Sequence, residues 1–180
     1  MNLVEPQLAP ASFWNSARRR RYLVFGAVGI GLVSLGDLAR WSDDHALLIN
    51  ATTSLPNWAF MIDRKQVPAR DDFVFFEPPP GPLLARHFGA RPQPFGKIVY
   101  GVAGDRVTRQ DRLFSVNGRP VALAKPATRF GEPLALGPTG IVPRGCYFVG
   151  TPHHDSFDSR YAAIGWVCRP RIIGVGEAIL

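Results

Sequence analysis

The sequence lacks several features that mark common classes of protein. It has only two cysteines, no internal repeat and no low-complexity tract. No Gly-rich phosphate loop follows a predicted strand and no G-x-S-x-G elbow is present, which argues against phosphate-cofactor enzymes and α/β-hydrolases. At 180 residues the chain is long enough for one compact domain with a terminal extension, and two full domains would be unusual.

The histidines and cysteines also lack the spacing of a metal site. His153 and His154 are adjacent, so in an extended segment their side chains point to opposite faces and rarely bind one ion. The two cysteines do not have the close spacing of a metal knuckle. We therefore expect neither a metal nor another cofactor.

Positive charge exceeds negative charge, with 21 Lys and Arg against 14 Asp and Glu. The net charge of +7 makes nucleic acid or an anionic membrane surface a possible partner. Four arginines at positions 18–21 lie beside the longest apolar run, whereas the other basic residues are scattered. Basic residues interleaved with stacking aromatics, typical of a nucleic-acid module, are not found, so we expect no nucleic-acid partner.

The longest apolar run, YLVFGAVGIGLVSLGDLA, extends from Tyr22 to Ala39. It is close to the roughly 20 residues that a membrane-spanning helix needs, and it lacks a good signal-peptidase cleavage site. With arginines on its N-terminal side, the positive-inside tendency predicts a basic cytoplasmic segment over residues 1–21, a signal-anchor helix over 22–40 and an external domain over 41–180. The alternative is a buried helix of a soluble domain, which its four glycines would weaken in water.

In an oxidising compartment Cys146 and Cys168 can form a disulfide. The alternative is that they are two small buried apolar side chains.

Beyond Trp41 the chain has short apolar runs separated by Gly, Pro and Asp, a texture typical of β-structure. Asn117-Gly118 predicts a tight hairpin. The proline-rich stretch 77–95 should be a loop with one helical turn at 83–88, and 125–143 should be irregular. The predicted strands lie at 72–76, 97–102, 106–110, on both sides of the hairpin, at 146–150 and at 171–176.

One serine lies in a short turn, NATTSLPNWAF, just after the apolar region. This residue, Ser54, is a nucleophile only if a base takes its proton, and no histidine lies in a recognisable triad context. A lysine can be that base when burial lowers its pKa. Lys97 in PFGKIVYGV is the candidate, because a strand could carry its side chain inward. The alternative is a solvated lysine on an edge strand.

The order of the motifs resembles that of the bacterial type I signal peptidases. Lys97 opens KIVYGVAGDRV, similar to the family's K-x-x-x-G-x-x-G-D box, and Ser156 opens SFDSRY, similar to its S-x-D-S-R-Y box. Within this family, the resemblance is greatest to conjugative-transfer peptidases of the TraF type. It lies in the SLP turn at Ser54, the insertion containing LLARHFG and the SFDSRY motif. Trp58 and Phe60 depart from that type, which has Gly and Tyr at these places.

The resemblance implies a mainly β, signal-peptidase-like domain on one transmembrane helix. It implies that Ser54 is the nucleophile and Lys97 the general base, with Thr52 and the Ser54 N–H forming the oxyanion hole. It also implies that Ser156 orients the lysine and that Asp158 and Arg160 form an ion pair that holds this loop. The alternatives are a turn role for Ser156 and a weak surface pair for Asp158 and Arg160.

The implied function is a membrane-anchored serine endopeptidase in the bacterial inner membrane, with its catalytic domain in the periplasm. Its partners would be a membrane-inserted precursor, such as a pilin, the lipid bilayer, and a conjugation or type IV secretion apparatus, and the product could be cyclised. The DFVFF segment at 72–76 and the proline-rich loop would face the membrane. The alternatives are a general leader peptidase and a non-catalytic envelope assembly module with a peptidase-like fold.

Overall fold

The computed structural model of the protein describes residues 16–49 and 55–179. It divides the chain after Asp43 into an N-terminal unit and a larger C-terminal unit. Two of the predicted site residues, Thr52 and Ser54, lie outside the described residues, as does most of the predicted cytoplasmic segment.

The N-terminal unit contains all but the last residue of helix α1, Ser16–Asp44, which is longer than the sequence predicts at both ends. Its part from Arg19 to Asp44 has a mean hydropathy of 1.8, and within the described residues it is the one helix long and apolar enough to cross a bilayer. Leu23, Phe25 and Ile30 are exposed along it. Helix α1 therefore fits a single-pass membrane anchor by length and composition.

The C-terminal unit is built mainly from strands, which confirms the predicted fold class. The described elements that follow α1 are, in chain order, β1 (His45–Ile49), β2 (Ala59–Asp63), β3 (Phe73–Phe76), α2 (Pro82–Phe88), β4 (Phe95–Gly101), β5 (Arg106–Gln110), β6 (Leu113–Val116), β7 (Arg119–Leu123), β8 (Gly140–Ile141), β9 (Cys146–Gly150), β10 (Val167–Cys168), a 3₁₀ turn (Arg169–Arg171) and β11 (Ile172–Ala178).

The strands form two antiparallel sheets. The larger sheet has seven described strands in the order β1-β2-β11-β3-β4-β9-β10, and the smaller has four in the order β7-β6-β5-β8. One apolar cluster contains Val74, Phe76 and Val99 of the large sheet, and another joins Phe114 of the small sheet to Phe148 of the large one. Strand β4 thus lies inside the large sheet, between β3 and β9.

The predicted hairpin forms between β6 and β7. Asn117 and Gly118 have positive φ angles of 49° and 81°, as a two-residue type I′ turn requires. The Asn117 side chain also accepts a hydrogen bond from the Arg106 N–H at 2.9 Å, which joins the turn to β5.

The prediction that the DFVFF segment faces the membrane is wrong. Val74, Phe75 and Phe76 are 0%, 5% and 0% exposed. Strand β3 pairs with β11 on one side and β4 on the other, and both of its faces are covered by other side chains. A short continuous apolar run is typical of such a fully buried strand.

Candidate active site

Lys97 is the third residue of β4, and its side chain points into the protein. Burial alternates along this strand, with Phe95, Lys97, Val99 and Gly101 on the buried side, as the period of two of a strand requires. Lys97 is 5% exposed and pairs in register with Val74 of β3. Because β4 is an interior strand, the alternative of a solvated edge lysine is wrong.

Burial changes the acidity of this lysine. Removing the ammonium from water disfavours its charged form, and the pKa of Lys97 is lowered from 10.5 to about 8. The negative charge of Asp158 partly opposes this shift, and the positive charge of Arg160 adds to it. The Lys97 Nζ lies 5.4 Å from the Phe95 ring centroid. At mildly alkaline pH a large fraction of Lys97 is therefore neutral and able to accept a proton.

The lowered pKa predicts a pH-dependent stability. Below pH 8 Lys97 is charged in both states, and the drop from 10.5 to about 8 means that burying this charge opposes folding by about 3 kcal/mol. Since the unfolded chain holds the proton more tightly, the free energy of unfolding should rise between pH 8 and 10.5 relative to Lys97→Met. Denaturant titrations of both proteins at pH 7 and pH 10.5 measure this difference, and a gap that stays constant with pH would contradict it.

Asp158 and Arg160 form a fully buried ion pair, not a surface pair. Their side chains are 0% and 2% exposed. The Arg160 Nε donates to Asp158 Oδ1 at 2.8 Å and its Nη2 to Oδ2 at 2.7 Å, which is a bidentate geometry. The same guanidinium donates to the backbone oxygens of Leu123 at 2.9 Å and His153 at 3.1 Å. The pair thus fixes the segment after β9 to the end of β7.

Ser156 lies in the same segment, two residues before Asp158. It is 4% exposed, and its Oγ is buried without a hydrogen-bond partner among the described residues. The Oγ1 of Thr151 has the same property. A buried hydroxyl without a partner is unusual in a folded protein, and it marks a place where a ligand or a reacting group can be accommodated.

The residue after Ser54 lies against the residue before Lys97. Leu55 is 5% exposed and packs with Phe75 in a core cluster. A Cβ placed on Gly96 would lie 3.0 Å from Leu55 Cδ1 and 2.7 Å from Phe75 Cε1, so a larger residue at this position would force these side chains to shift. Two positions that are 41 residues apart in the sequence are thereby held together.

The Gly-Asp part of the Lys97 motif forms a polar clip beyond the end of β4. Gly104 has a φ of +91°, which favours glycine. The Asp105 carboxylate accepts hydrogen bonds from the Val102 N–H at 2.7 Å, Arg70 at 2.6 Å and Asn117 at 2.7 Å. Burial alone would raise the pKa of Asp105, but these hydrogen bonds together lower it. The clip holds the turn between β4 and β5.

Cys146 and Cys168 are joined by a disulfide. It links β9 to β10 in register and closes a loop that contains Ser156, Asp158 and Arg160.

Removing this disulfide is expected to destabilise the protein. For the 22-residue separation of Cys146 and Cys168, the loss of the constraint on the unfolded chain corresponds to about 3 kcal/mol. Denaturant unfolding of the Cys146→Ser/Cys168→Ser double variant measures the loss. An unchanged midpoint would show that the loop is held without the cross-link.

Comparison with known proteins identifies the family. The family model described as "Signal peptidase, peptidase S26" matches residues 20–180, which is most of the chain. This chain belongs to the S26 signal peptidase family.

Relatives in this S26 family include proteins of conjugal transfer. The chain is 29% identical over 177 residues to a "Probable conjugal transfer protein TraF" of Sinorhizobium fredii, covering 91% of this chain and 92% of that protein. It is 29% identical over 126 residues to the "Conjugal transfer protein TraF" of Agrobacterium fabrum, covering 63% and 71%. A signal peptidase I structure from Enterococcus faecalis V583 matches 61% of this chain and 97% of its own, with 23% identity and a TM-score of 0.37.

The S26 domain brings together the predicted residues Lys97, Asp158 and Arg160, whose charges act on one another, and places Ser156 in the same buried segment. Sequence reasoning missed Gly150. A Cβ there would lie 2.7 Å from the Tyr100 ring and 3.5 Å from Asp158 Oδ2, so glycine is needed where β9 passes the ion pair. Its position at the end of a short apolar strand, before Thr151 and Pro152, did not indicate this close packing.

Proposed function

We propose that this protein is a membrane-anchored serine endopeptidase that cleaves an exported precursor, a pilin precursor of a conjugative transfer system, with Ser54 and Lys97 as its catalytic dyad. The observation that carries the proposal is the 5% exposed lysine on an interior strand, with a pKa lowered to about 8, in a chain of the S26 family. A buried titratable group with a strongly lowered pKa is typical of a catalytic base.

The position of Leu55 supports Ser54 as the nucleophile. Leu55 packs beside Gly96, the residue that precedes Lys97. The serine bonded to Leu55 is therefore proposed to act with the lysine bonded to Gly96. No other acidic or basic side chain is required for the dyad, because a neutral lysine can accept the hydroxyl proton directly.

The proposed reaction begins when neutral Lys97 takes the Ser54 proton and the Ser54 oxygen attacks the scissile carbonyl. Thr52 and the Ser54 N–H would donate to the developing oxyanion, an interaction worth about 3–4 kcal/mol for one donor. Lys97 then gives its proton to the leaving amine, which leaves an acyl-enzyme on Ser54. In hydrolysis water attacks this ester, with Lys97 again as the base, and releases the product.

Ser156 and the buried ion pair have supporting roles in this scheme. The unpartnered Ser156 hydroxyl is suited to orient the Lys97 amine, and Asp158 with Arg160 fixes the segment that carries it. Their charges also tune Lys97 in opposite directions, because Asp158 raises its pKa and Arg160 lowers it.

The proposed location is the bacterial inner membrane, with residues 1–21 in the cytoplasm, residues 22–40 in the bilayer and the domain from residue 41 in the periplasm. The disulfide supports an oxidising compartment.

Exposed Leu47, Ile49, Trp58 and Ile179 lie around Ala59, because Ile49 pairs with Ala59 and the Ile179 N–H donates to its oxygen. We assign this apolar edge, rather than DFVFF, to the membrane side, where a membrane-inserted precursor would present its cleavage site.

The TraF relatives support a conjugation system as the setting, with its secretion apparatus as the partner assembly. In such a system the acyl-enzyme has a second outcome. If the N-terminal amine of the same precursor attacks the Ser54 ester in place of water, a peptide bond forms, Ser54 is regenerated and the product is cyclic.

The test is cleavage of pilin precursors by membranes that carry the intact protein, with Ser54→Ala and Lys97→Ala alongside and products identified by mass spectrometry. The proposal predicts that the wild-type protein cleaves the precursor and that neither variant does. It also predicts a cyclic product lighter than the linear product by one water. Processing that continues in both variants would refute the dyad. Absence of processing in every form would favour a non-catalytic role.

A further inference from the structure

A cavity of about 180 Å³ lies beside the segment that carries Ser156. Its walls come from three places in the chain: the end of α2, the loop from 125 to 134, and the segment from 155 to 161. We call it the aromatic pocket, after His87, Phe88, Phe157 and Tyr161, which line it. Helix α2 belongs to the insertion containing LLARHFG.

The walls of the aromatic pocket are packed against one another. The Phe157 ring lies 5.3 Å from His87, 5.4 Å from Phe88 and 5.8 Å from Tyr161, measured between ring centroids. His87 stacks at 5.2 Å on Phe130 of the loop. Aromatic pairs at these distances stabilise each other beyond their buried area, so the pocket has a preformed shape.

Several charged groups at the aromatic pocket are paired with one another, and the Arg129 guanidinium lies 5.0 Å from the Phe130 ring centroid. The Glu132 carboxylate contacts His87 Nε2 at 2.7 Å and Arg86 Nη1 at 2.9 Å. Lys125 forms an ion pair with Asp155. A charged occupant would have to compete with these partners, whereas an uncharged apolar group meets aromatic walls at no such cost.

The size of the aromatic pocket fits one large apolar side chain. A cavity of roughly 150 Å³ lined by apolar residues is enough to bind benzene. The volume of about 180 Å³ therefore accommodates a phenyl ring or a branched aliphatic group. An alanine side chain would leave most of it empty.

Ser156 connects the aromatic pocket to the proposed catalytic dyad. It lines the pocket, it is 4% exposed, and its Oγ has no hydrogen-bond partner among the described residues. The residue proposed to orient Lys97 therefore also forms a wall of the cavity. Phe95 gives a second link, because its ring centroid lies 5.4 Å from the Lys97 Nζ and 4.8 Å from the ring centroid of Phe88, which lines the pocket.

We propose that the aromatic pocket is a specificity site that binds one leucine- or phenylalanine-sized side chain of the precursor, near the scissile bond. This inference rests on the proposed peptidase function. It assigns to α2 and the loop from 125 to 134 a role in substrate selection, with His87, Phe88 and Phe157 as the residues that contact the bound side chain.

The test uses full-length protein in detergent and synthetic precursor peptides in which each position around the scissile bond is varied among Ala, Leu and Phe. At one position Leu or Phe should raise kcat/KM at least about tenfold over Ala, as expected for added apolar groups in a pocket. Ala127→Leu, which reduces the volume of the pocket, should abolish that preference. The matched control, Ala85→Leu on the exposed face of α2, should keep it.

Binding separates failure of this inference from failure of the peptidase function. In a Lys97→Met background, fluorescence anisotropy should show the Leu or Phe peptide binding at least about tenfold tighter than the Ala peptide. The difference should disappear when Ala127→Leu is added. If Ala127→Leu does not fold, Phe88→Ala, which removes a part-exposed wall, should also reduce the preference. No preference at any position, or a preference unchanged by these substitutions, would overturn the proposal even if cleavage occurs.

Discussion

Replacing Lys97 with methionine is expected to lower kcat/KM for precursor cleavage by about 10³- to 10⁴-fold, the contribution typical of a positioned general base at its upper end. Methionine keeps the length and apolar contacts of the lysine stem but cannot accept a proton. Because the substitution also removes a buried charge with a lowered pKa, the variant should fold at least as stably as the wild type at pH 7. Peptide cleavage and thermal unfolding measured on the same preparations test both parts.

The matched control for this variant is Lys65→Met. Lys65 is an exposed lysine, with 74% of its side chain accessible, and it pairs with Asp44. Its replacement should leave cleavage unchanged. Equal activity losses in Lys97→Met and Lys65→Met, or a Lys97→Met protein that retains cleavage, would remove Lys97 from the chemistry.

Replacing Arg160 with methionine is expected to destabilise the protein by about 3–5 kcal/mol, because Asp158 would be left as an unpaired buried charge. The Asp158 side chain is 0% exposed, so water cannot take the place of the guanidinium without opening the fold. The pKa of Lys97 should also rise, because the positive charge of Arg160 lowers it and methionine carries no charge. Denaturant unfolding gives the stability loss, and the pH profile of cleavage should move to higher pH.

A double variant distinguishes the pair from simple loss of packing. Adding Asp158→Leu to Arg160→Met removes the unpaired carboxylate and should recover part of the loss, because an apolar replacement of a buried ion pair is often neutral. The exposed pair of Lys65 and Asp44 gives the comparison, and breaking it should cost less than about 1 kcal/mol. A loss in Arg160→Met no larger than this would contradict a structural role for the buried pair.

Lys97 could be selected as a candidate from the sequence, but its burial could not be predicted from local pattern. The pattern PFGKIVYGV has apolar residues on both faces of the strand, so periodicity alone could not decide which way the lysine points. The resemblance to a family motif selected it. Its burial follows from the pairing of β4 with β3 and β9, which is a long-range property of the sheet.

The strands at the start of the C-terminal unit show a different limit. HALLI of β1 follows α1 without a glycine or proline, and AFMID of β2 follows a proline-containing turn, so no local signal marked either as a strand. Both are stabilised by pairing, β2 with β1 and with β11, a strand more than 100 residues away. By contrast, the Asn117-Gly118 hairpin depends on local turn chemistry and was predicted correctly.

Local sequence patterns also did not predict the aromatic pocket or the contact of Leu55 with Gly96. The insertion containing LLARHFG predicted one helical turn, and α2 confirms it, but the packing of its His87 against Phe130 and Phe157 joins three distant segments. Similarly, nothing in the sequence near Gly96 indicates that Leu55 lies against it. Such contacts between distant segments are set by the tertiary fold.

The central claim, that Lys97 activates Ser54, is tested most directly by trapping the covalent intermediate. Full-length protein is incubated at pH 8 to 9 with an electrophilic peptide that acylates activated serines, and the labelled residue is located by mass spectrometry after digestion. The account predicts a label on Ser54 that is lost in Lys97→Met and retained in Lys65→Met. Labelling of another residue, or labelling of Ser54 that is unaffected by Lys97→Met, would contradict it.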